Sequence, residues 1–331
     1  MAKLSHQPPP TPCRWHSAVG YQRNWVWRGW SIRYSYIRAH SPQQSPTPLL
    51  LLHGFGAAIG HWRHNIPALS QYHTVYAMDL LGFGASQKTV TTFNIDLWSA
   101  QVFEFWQTFI QCPMVLMGNS LGSLVSVAAT VAHPEMVAGL IMVNLPDASV
   151  LPLPMPSPML RFIKPVVNLI KPAIALLNHI LLSPPIFDPF FNFIRRPTLI
   201  RYWATLAYAN PSRVDHELVH ILCSPAYEKG ASRTLAHMTR SPGGNPDYAA
   251  KVALPQLQIP MLLIWGKQDR LVPPVLAPML ASLNPSLQWV ELDQAGHCPQ
   301  DECPEIVNPL VLNWIRQQVE RSIVTTPTTN C

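Results

Sequence analysis

The sequence predicts an α/β fold in which a doubly wound, mostly parallel sheet carries an inserted helical cap. One observation is a series of short, continuously apolar runs, which are typical of strands buried on both faces of a sheet. A second is that helical stretches lie between several of these runs, as expected where parallel strands alternate with helices. The apolar runs are residues 49–52, 75–78, 114–117, 140–143, 261–265 and 287–292, and the helical stretches are residues 96–110, 123–133 and 304–319.

Two further strands are expected before the first apolar run. Residues 25–30 and 31–37 alternate apolar and polar side chains on either side of Arg28-Gly29, which predicts a β-hairpin that turns there. Residues 1–24 are rich in proline and in polar residues, and we expect them to form a flexible arm.

The alternation of strands and helices is interrupted after Leu145. About 115 residues pass before the next apolar run begins at Met261, and a loop of that length is anomalous inside a compact domain. We therefore expect residues 146–250 to form an inserted, mostly helical cap on a core made of residues 25–145 and 251–320. Residues 321–331 are expected to form a flexible tail.

The composition indicates a folded protein with an apolar and basic surface. Of the 331 residues, 48% are apolar and 12% are charged, which excludes a disordered chain. The net charge is +6, no acidic residue precedes Asp79, and Asp188 is the one acidic residue in the stretch 151–213, which holds seven Lys and Arg. Basic and apolar residues together favour contact with an anionic membrane surface over nucleic acid. The alternative is a basic protein whose arginines are simply solvated.

The spacing of the cysteines and the length of the apolar runs indicate the cellular compartment of the protein and whether it binds a metal or spans a membrane. Six cysteines are scattered without a CxxC pair, and the first 20 residues lack the apolar stretch of a secretory signal. We expect reduced thiols in a protein that is not secreted. No uninterrupted run of about 20 apolar residues predicts a membrane-spanning helix. Cys298 and Cys303 lack the further ligands of a zinc site, so neither a metal nor another cofactor is expected.

The segment Gly118-Asn-Ser-Leu-Gly122 matches the G-x-S-x-G nucleophile elbow, with a predicted strand before it and a predicted helix after it. Such a tight turn exposes the Ser120 hydroxyl. Glycine is needed at positions 118 and 122 because a side chain would collide with the neighbouring strand and helix. The helix N-terminus behind Ser120 also favours developing negative charge. Ser120 is therefore the predicted nucleophile, and the motif indicates an α/β-hydrolase fold.

A glycine loop after the first apolar run is the predicted oxyanion loop. His53-Gly-Phe-Gly56 follows residues 49–52, where this fold places half of its oxyanion hole. The backbone N–H groups of Phe55 and Leu121 are the predicted donors, and Gly54 and Gly56 support the turn. The alternative is an ordinary glycine turn.

The predicted general base and its acidic partner follow the last two strands. His297 lies in the loop after the last strand, and Asp269 lies at the end of the strand before it, in the chain order that this fold uses. Asp147 is an alternative acid, whereas Asp79 is expected to order the glycine-containing loop that follows it. A serine at the elbow favours hydrolysis of esters, thioesters, amides or C–C bonds through an acyl-enzyme.

Four segments carry a resemblance that is more specific than these general motifs. They are residues 52–57 (LHGFGA), 94–101 (NIDLWSAQ), 117–122 (MGNSLG) and 295–308 (AGHCPQDECPEIVN). With them the chain resembles the pheophytinase and chlorophyll-dephytylase-like serine esterases of the α/β-hydrolase superfamily, of cyanobacterial or plastid type, over about residues 25–318. The resemblance implies Ser120, Asp269 and His297 as catalytic residues. It also implies a cytoplasmic or plastid-type location, peripheral to a thylakoid membrane. Within the last segment, Asp301 and Glu302 are expected to start the final helix, where acidic residues are favourable.

The expected function is hydrolysis of a carboxylic ester in a lipophilic substrate, and the resemblance implies the phytyl ester of pheophytin or chlorophyll. The family continues its elbow with a second glycine where this chain has Ser123, and the cap is rich in proline, so pigment specificity stays open. The alternatives are a generic carboxylesterase, lipase or thioesterase, a C–C hydrolase, and a non-catalytic tetrapyrrole- or lipid-binding accessory protein. The expected partners are a lipophilic small-molecule ester and a membrane surface, not a nucleic acid.

Overall fold

One eight-stranded sheet forms the centre of the molecule. A computed structural model describes residues 15–40, 47–151, 180–240 and 244–320. The strands are β1 Tyr21–Trp27, β2 Trp30–Ile37, β3 Leu49–Leu52, β4 Val75–Met78, β5 Met114–Asn119, β6 Val137–Val143, β7 Met261–Gly266 and β8 Leu287–Leu292. They lie in the order β1-β2-β4-β3-β5-β6-β7-β8. The pairs β1–β2 and β2–β4 are antiparallel and the five other pairs are parallel, which confirms the predicted mostly parallel sheet.

Helices surround this sheet. Those in the described residues are α1 Trp15–Ala18, α2 Ile66–Leu69, α3 Ile95–Phe105, α4 Leu121–Ala132, α5 Pro184–Ile194, α6 Pro197–Ala207, α7 His216–Cys223, α8 Ala231–Arg240, α9 Ala250–Ala253, α10 Leu276–Ala281, α11 Pro299–Glu302 and α12 Pro304–Trp314. Helices α3 and α12 each continue into a π-helical turn, Trp106–Ile110 and Ile315–Glu320. Short 3₁₀ helices occupy Ile59–Trp62, Pro134–Met136, Pro211–Arg213, Ser224–Tyr227, Pro246–Tyr248 and Leu254–Gln256.

The central strand β3 shows why helices cover both faces of the sheet. Its four leucines are fully buried. Leu50 and Leu52 belong to a core with residues of α3, α4 and α10, whereas Leu49 and Leu51 belong to a second core with residues of α2 and α12. Because side chains alternate between the two faces of a strand, an all-apolar strand requires an apolar layer on each side.

The N-terminal strands form the predicted hairpin. Arg28 and Gly29 make its turn with φ values of 49° and 85°, and two successive positive φ values suit the right-handed twist of the flanking strands. The strand β1 begins at Tyr21, inside the segment 1–24 that the sequence predicts to be an arm. The reason is that β1 pairs with β2 along its whole length, from Tyr21 opposite Tyr36 to the turn. Residues 1–14 and the predicted tail 321–331 lie outside the described residues.

The chain between β6 and β7 carries helices and, where it is described, no strand. Helices α6 and α7 share a small apolar cluster, and α5 packs on α8 through Phe187, Phe191 and Ala236. Residues 152–179 and 241–243 of the predicted cap lie outside the described residues, so its division from the core stays a prediction. None of the described helices is long and apolar enough to cross a membrane.

Candidate active site

The predicted nucleophile Ser120 occupies a strained turn between β5 and α4. Its φ of 52° and ψ of −116° lie in a region that side-chain-bearing residues rarely adopt. A Cβ atom on Gly118 would lie 2.2 Å from the carbonyl carbon of Gly122, and one on Gly122 would lie 2.2 Å from the carbonyl oxygen of Leu52. Both glycines are therefore required by close backbone contact, as the elbow motif predicts.

Ser123, at which the chain departs from the resembled family, supports the elbow from behind. Its side chain is fully buried. The hydroxyl donates to the carbonyl of Gly118 at 2.7 Å and accepts from the backbone N–H of Val143 at 3.0 Å. It thus bridges the elbow to β6, the next strand of the sheet. The sequence does not predict this role for Ser123, because a serine inside a helix carries no signal of a tertiary contact.

The predicted base and acid lie in contact. Nδ1 of His297 is 2.7 Å from Oδ2 of Asp269. The same carboxylate accepts from the side-chain amide of Asn144 at 2.6 Å and from the backbone N–H groups of Leu271 and Val272 at 2.8 and 2.9 Å. Burial acts to raise the pKa of Asp269, but the hydrogen bond and charge of His297 and the other donors outweigh it and leave the pKa lowered. An ionised Asp269 makes Nδ1 the donor and leaves Nε2 of His297 as an acceptor.

The loop of the base is tied to the residue that precedes the nucleophile. The side-chain amide of Asn119 donates to the carbonyl of His297 at 3.1 Å. Within the described residues, no hydrogen bond joins the Ser120 hydroxyl to the His297 ring. The structure therefore joins the predicted acid Asp269 to the predicted base His297 and holds the His297 loop beside the elbow. In enzymes without substrate, a long contact between nucleophile and base is common.

The predicted oxyanion loop packs directly on the elbow. A Cβ atom on Gly54 would lie 3.3 Å from Cβ of Ser120, and Gly56 has a φ of 71°. His53 holds this loop from below, since Nδ1 lies 2.7 Å from the carbonyl oxygen of Gly54 and Nε2 accepts from the N–H of Leu80 at 3.1 Å. Burial lowers the pKa of His53 to about 4, so the ring is neutral at neutral pH. These contacts hold the backbone of Gly54, the residue before Phe55, beside Ser120.

The two other carboxylates considered from the sequence lie elsewhere. Asp79 accepts from the backbone N–H groups of Ile59 and Ala85, both at 2.7 Å, and burial raises its pKa to about 6 against these bonds. It orders the loop after β4, as expected. Asp147 accepts from Ala250 N–H at 2.7 Å, at the start of α9. Neither is the residue bonded to His297.

The loop that bears His297 is held by contacts that the sequence analysis missed. Glu302 accepts from Gly296 N–H at 2.7 Å, and the His297 N–H donates to the carbonyl of Ala207 at 2.6 Å. A Cβ atom on Gly296 would lie 2.3 Å from that same carbonyl oxygen, so only glycine fits there. The predicted base His297 is thus fixed between α11 and the end of α6.

The prediction from the sequence that Asp301 and Glu302 start the final helix is wrong, because that helix begins at Pro304. They lie in α11, ahead of α12, and are only 3% and 1% exposed. Asp301 accepts from the Arg63 guanidinium and from the Tyr208 hydroxyl, each at 2.6 Å. His61 lies 2.9 Å from the same hydroxyl. Burial, together with the Asp301 charge, raises the pKa of Tyr208 well above its ordinary value, so its hydroxyl remains a donor.

An apolar cavity of about 610 Å³ extends from the oxyanion loop under the helices of the β6–β7 segment. Neither Ser120 nor His297 lines it, but Phe55, Gly56 and Ala57 do. Its other walls come from the loop after β4 and from helices α5 to α8. Those walls include Gly82, Phe83, Lys88, Phe191, Ile194, Arg195, Ile200, Trp203, Ala204, Leu222, Ala226, Leu235 and Met238.

The cysteines near the base are unsuited to nucleophilic chemistry. Burial raises the pKa of Cys298 well above its ordinary value and that of Cys303 to about 11. Both thiols are therefore protonated at neutral pH, and a protonated thiol is a poor nucleophile. Ser120 remains the candidate with the required setting.

Comparison with known proteins identifies similar sequences over most of the chain. The model of the "Alpha/beta hydrolase family" matches residues 49–310. Chloroplastic pheophytinase of Arabidopsis thaliana is 26% identical over 322 residues, which cover 86% of this chain and 64% of the relative. The (lyso)-N-acylphosphatidylethanolamine lipase of Mus musculus is 38% identical over 111 residues, which cover 31% of this chain and 32% of the relative. The chain thus spans less than two thirds of the length of either relative.

Solved structures share the fold at low identity. A serine hydrolase involved in carbazole degradation superposes with a TM-score of 0.68 at 18% identity, over 90% of this chain and 99% of that one. A membrane phospholipase A superposes with a TM-score of 0.67 at 22% identity, over 90% of this chain and 86% of that one. Likeness at such identity establishes the architecture alone.

Proposed function

The chain belongs to the alpha/beta hydrolase family, and from that premise we propose that it cleaves a carboxylic ester of a lipophilic substrate through an acyl-enzyme on Ser120. The observation that carries the proposal is the buried 2.7 Å hydrogen bond between Asp269 and His297, on a loop tied to the elbow of Ser120. Acyl transfer needs an imidazole oriented by a carboxylate and a serine on a strained turn, and the Asp269–His297 pair and the Ser120 elbow supply these two parts.

The proposed reaction begins with Ser120 as nucleophile and His297 as its base. Nε2 of His297 takes the proton of the Ser120 hydroxyl as its oxygen attacks the ester carbonyl. The backbone N–H groups of Phe55 and Leu121 stabilise the resulting oxyanion, and such donors are worth about 10²–10³ in turnover. The imidazolium then gives its proton to the departing alcohol oxygen, which leaves the acyl group on Ser120. A water molecule then gives a proton to Nε2 of His297 as its oxygen attacks the acyl carbonyl. The bond between Ser120 and the acyl group breaks, the imidazolium returns a proton to the Ser120 oxygen, and the carboxylic acid is released.

The substrate class rests on the cavity beside the oxyanion loop. Its walls are mainly apolar, and about 610 Å³ lies within the range of small-molecule sites. A long aliphatic or isoprenoid chain matches such a cavity because it gains from leaving water without needing polar partners. Together with the likeness to pheophytinase, this supports the phytyl ester of pheophytin or chlorophyll as the substrate within the lipophilic class. A plastid-type location stays a prediction that goes with this substrate.

The first experiment asks whether Ser120 is the nucleophile. Ser120→Ala is expected to abolish hydrolysis of a p-nitrophenyl acyl ester and labelling by a fluorophosphonate probe, with an unchanged circular dichroism spectrum. Wild-type protein that neither hydrolyses the ester nor labels would instead favour a non-catalytic tetrapyrrole- or lipid-binding protein. Full activity in the alanine variant would refute the proposed role of Ser120.

A second experiment addresses the substrate. Wild-type protein is compared on pheophytin, a galactolipid, an acyl-CoA and p-nitrophenyl esters, and released phytol is measured directly. Release of phytol that exceeds turnover of the other substrates is expected. Rapid turnover of short-chain esters with no phytol release would make the protein a generic carboxylesterase, and preference for acyl-CoA would make it a thioesterase.

A further inference from the structure

Helices α5 and α6, which follow one another directly along the chain, expose several large apolar residues. We call this group the α5–α6 surface and define it as Ile186, Phe190, Phe193, Tyr202 and Trp203. Each of these side chains is between 45% and 57% exposed. Single exposed apolar residues are ordinary on proteins, but five within 18 consecutive residues, four of them aromatic, are not.

Helix α5 is apolar on two sides, and only one of them is packed. Phe187 and Phe191 face inward, are each 6% exposed, and cluster with Ala231 and Ala236 at helix α8. Phe190 and Phe193 are 54% and 52% exposed. A helix that only covers a core would carry polar residues on its outer side. The outer side of α5 therefore has the character of a surface that is covered in some working state.

Positive charge accompanies these apolar residues. Arg196 and Arg201 are exposed, and the Arg196 guanidinium lies 5.2 Å from the ring centre of Phe193. Within the described residues, neither arginine forms an ion pair with a carboxylate. The nearest acidic residue in the sequence, Asp188, already accepts a hydrogen bond from Ser232. Unpaired cations beside exposed aromatic rings are complementary to an anionic lipid surface.

The α5–α6 surface reaches the cavity. Trp203 is 57% exposed and also lines the cavity, together with Arg195 and Ile200 of the same stretch. An apolar ligand that entered beside Trp203 would therefore come from whatever covers this surface. A bilayer is an occupant that supplies apolar ligands, anionic groups and a planar apolar layer at once.

We propose that the α5–α6 surface docks on an anionic lipid bilayer, with Phe190, Phe193 and Trp203 at the level of the acyl-chain boundary and Arg196 and Arg201 among the headgroups. Aromatic side chains favour that depth because one end is apolar and the other tolerates water. Docking does not require the chemistry of Ser120, so the inference goes beyond the proposed function and is tested separately.

The test is co-sedimentation of the full chain with vesicles of phosphatidylglycerol and phosphatidylcholine, compared with vesicles of phosphatidylcholine alone. Binding to the anionic vesicles that weakens with added salt is expected. Phe190→Ser with Phe193→Ser should lower the partition coefficient about tenfold or more, because two rings lose their apolar burial. Arg196→Gln with Arg201→Gln should lower the partition coefficient about 25-fold, at roughly fivefold for each cation.

Matched controls lie on other parts of the molecule. Val26→Ser with Tyr72→Ser removes two apolar side chains that are 73% and 51% exposed. Arg23→Gln with Arg38→Gln removes one exposed cation of β1 and another that directly follows β2. These variants should bind like wild type, and Ser120→Ala should bind equally well although it hydrolyses no ester.

Three results would overturn the proposal. They are absence of binding by wild-type protein, equal loss in the control variants, and a wild-type dimer in solution that the Phe190 and Phe193 substitutions abolish. The last would identify the surface as a contact between two copies of the chain. Thermal unfolding of every variant shows whether a loss of binding is a loss of folding.

Discussion

The carboxylate of Glu302 is expected to position the catalytic base without touching the substrate. It is 1% exposed and accepts two backbone N–H groups, from Gly296 at 2.7 Å and from Asn210 at 2.5 Å. One of these residues directly precedes His297, and the other follows helix α6. Glu302→Gln keeps the size of the side chain but replaces one acceptor oxygen by an NH₂ group, which then faces a backbone donor.

The expected losses of stability and of kcat follow from placing an NH₂ group opposite a backbone N–H donor. A buried donor left without an acceptor costs about 1–3 kcal/mol, so we expect a destabilisation of about 2 kcal/mol. The loop gains freedom at Gly296, next to the base, and a displacement of about 1 Å at a reacting group is enough to cost about 10²-fold in rate. We therefore expect kcat on a p-nitrophenyl ester to fall between about 10- and 100-fold, with little change in KM.

The assay is steady-state kinetics with urea unfolding of the same samples. Glu305→Gln is the matched control, because its carboxylate is 57% exposed and, among the described residues, pairs with the half-exposed Arg213. An exposed pair of this kind is worth at most about 1 kcal/mol, so the control should retain both activity and stability. A folded Glu302→Gln variant with wild-type kcat would refute the positioning role, and so would a rise in KM alone.

Three further predictions concern other parts of the site. Asp269→Asn should lower kcat about 10⁴-fold with the fold intact, because the amide favours the wrong tautomer of His297; a loss below about tenfold would contradict the triad. Burial lowers the pKa of His61 to about 4, so the neutral ring favours the folded state above about pH 6.5, and this stability is lost as pH falls toward 4. Urea unfolding should show wild type losing about 3 kcal/mol more than His61→Gln across that window, whereas His216→Gln, at an exposed position, should follow wild type. Gly122→Ala should lower the free energy of unfolding in urea by about 3 kcal/mol, because the added Cβ would lie 2.2 Å from the carbonyl oxygen of Leu52. A variant as stable as wild type would show that the elbow is less tightly packed.

The parts of the site that the sequence predicts are those set by local geometry. Gly118 and Gly122 stand at fixed distances from Ser120 because one turn brings their backbones together, and spacing alone reveals that. The hairpin turn at Arg28-Gly29 is local in the same sense. Asp269 and His297 are 28 positions apart in sequence, but parallel strands end at one edge of the sheet, so strand order predicts that these two side chains meet.

The parts that the sequence does not predict depend on partners without a fixed spacing. Asp301 meets Arg63 across 238 positions and Tyr208 across 93. A carboxylate beside a proline at a helix start has an ordinary local explanation, and nothing local distinguishes a buried carboxylate from a solvated one. Asn144, whose side-chain amide donates to Asp269, has a φ of 49° that no pattern in the sequence predicts. The roles of such residues become visible only in the folded structure, where their distant partners lie in contact with them.

Helix α6 connects substrate access with the geometry of the base. Trp203, in its second half, lines the cavity and is exposed, whereas the carbonyl of Ala207 at its end accepts the His297 N–H at 2.6 Å. Tyr208, the next residue, bonds Asp301 in the buried cluster. Because close-packed interiors transmit displacements instead of absorbing them, a shift of α6 that widens the cavity also moves an acceptor of the base loop. Substitutions on α6 that change the accepted ester should therefore alter kcat as well as KM, and substrate choice in this protein cannot be assigned to the cavity walls alone.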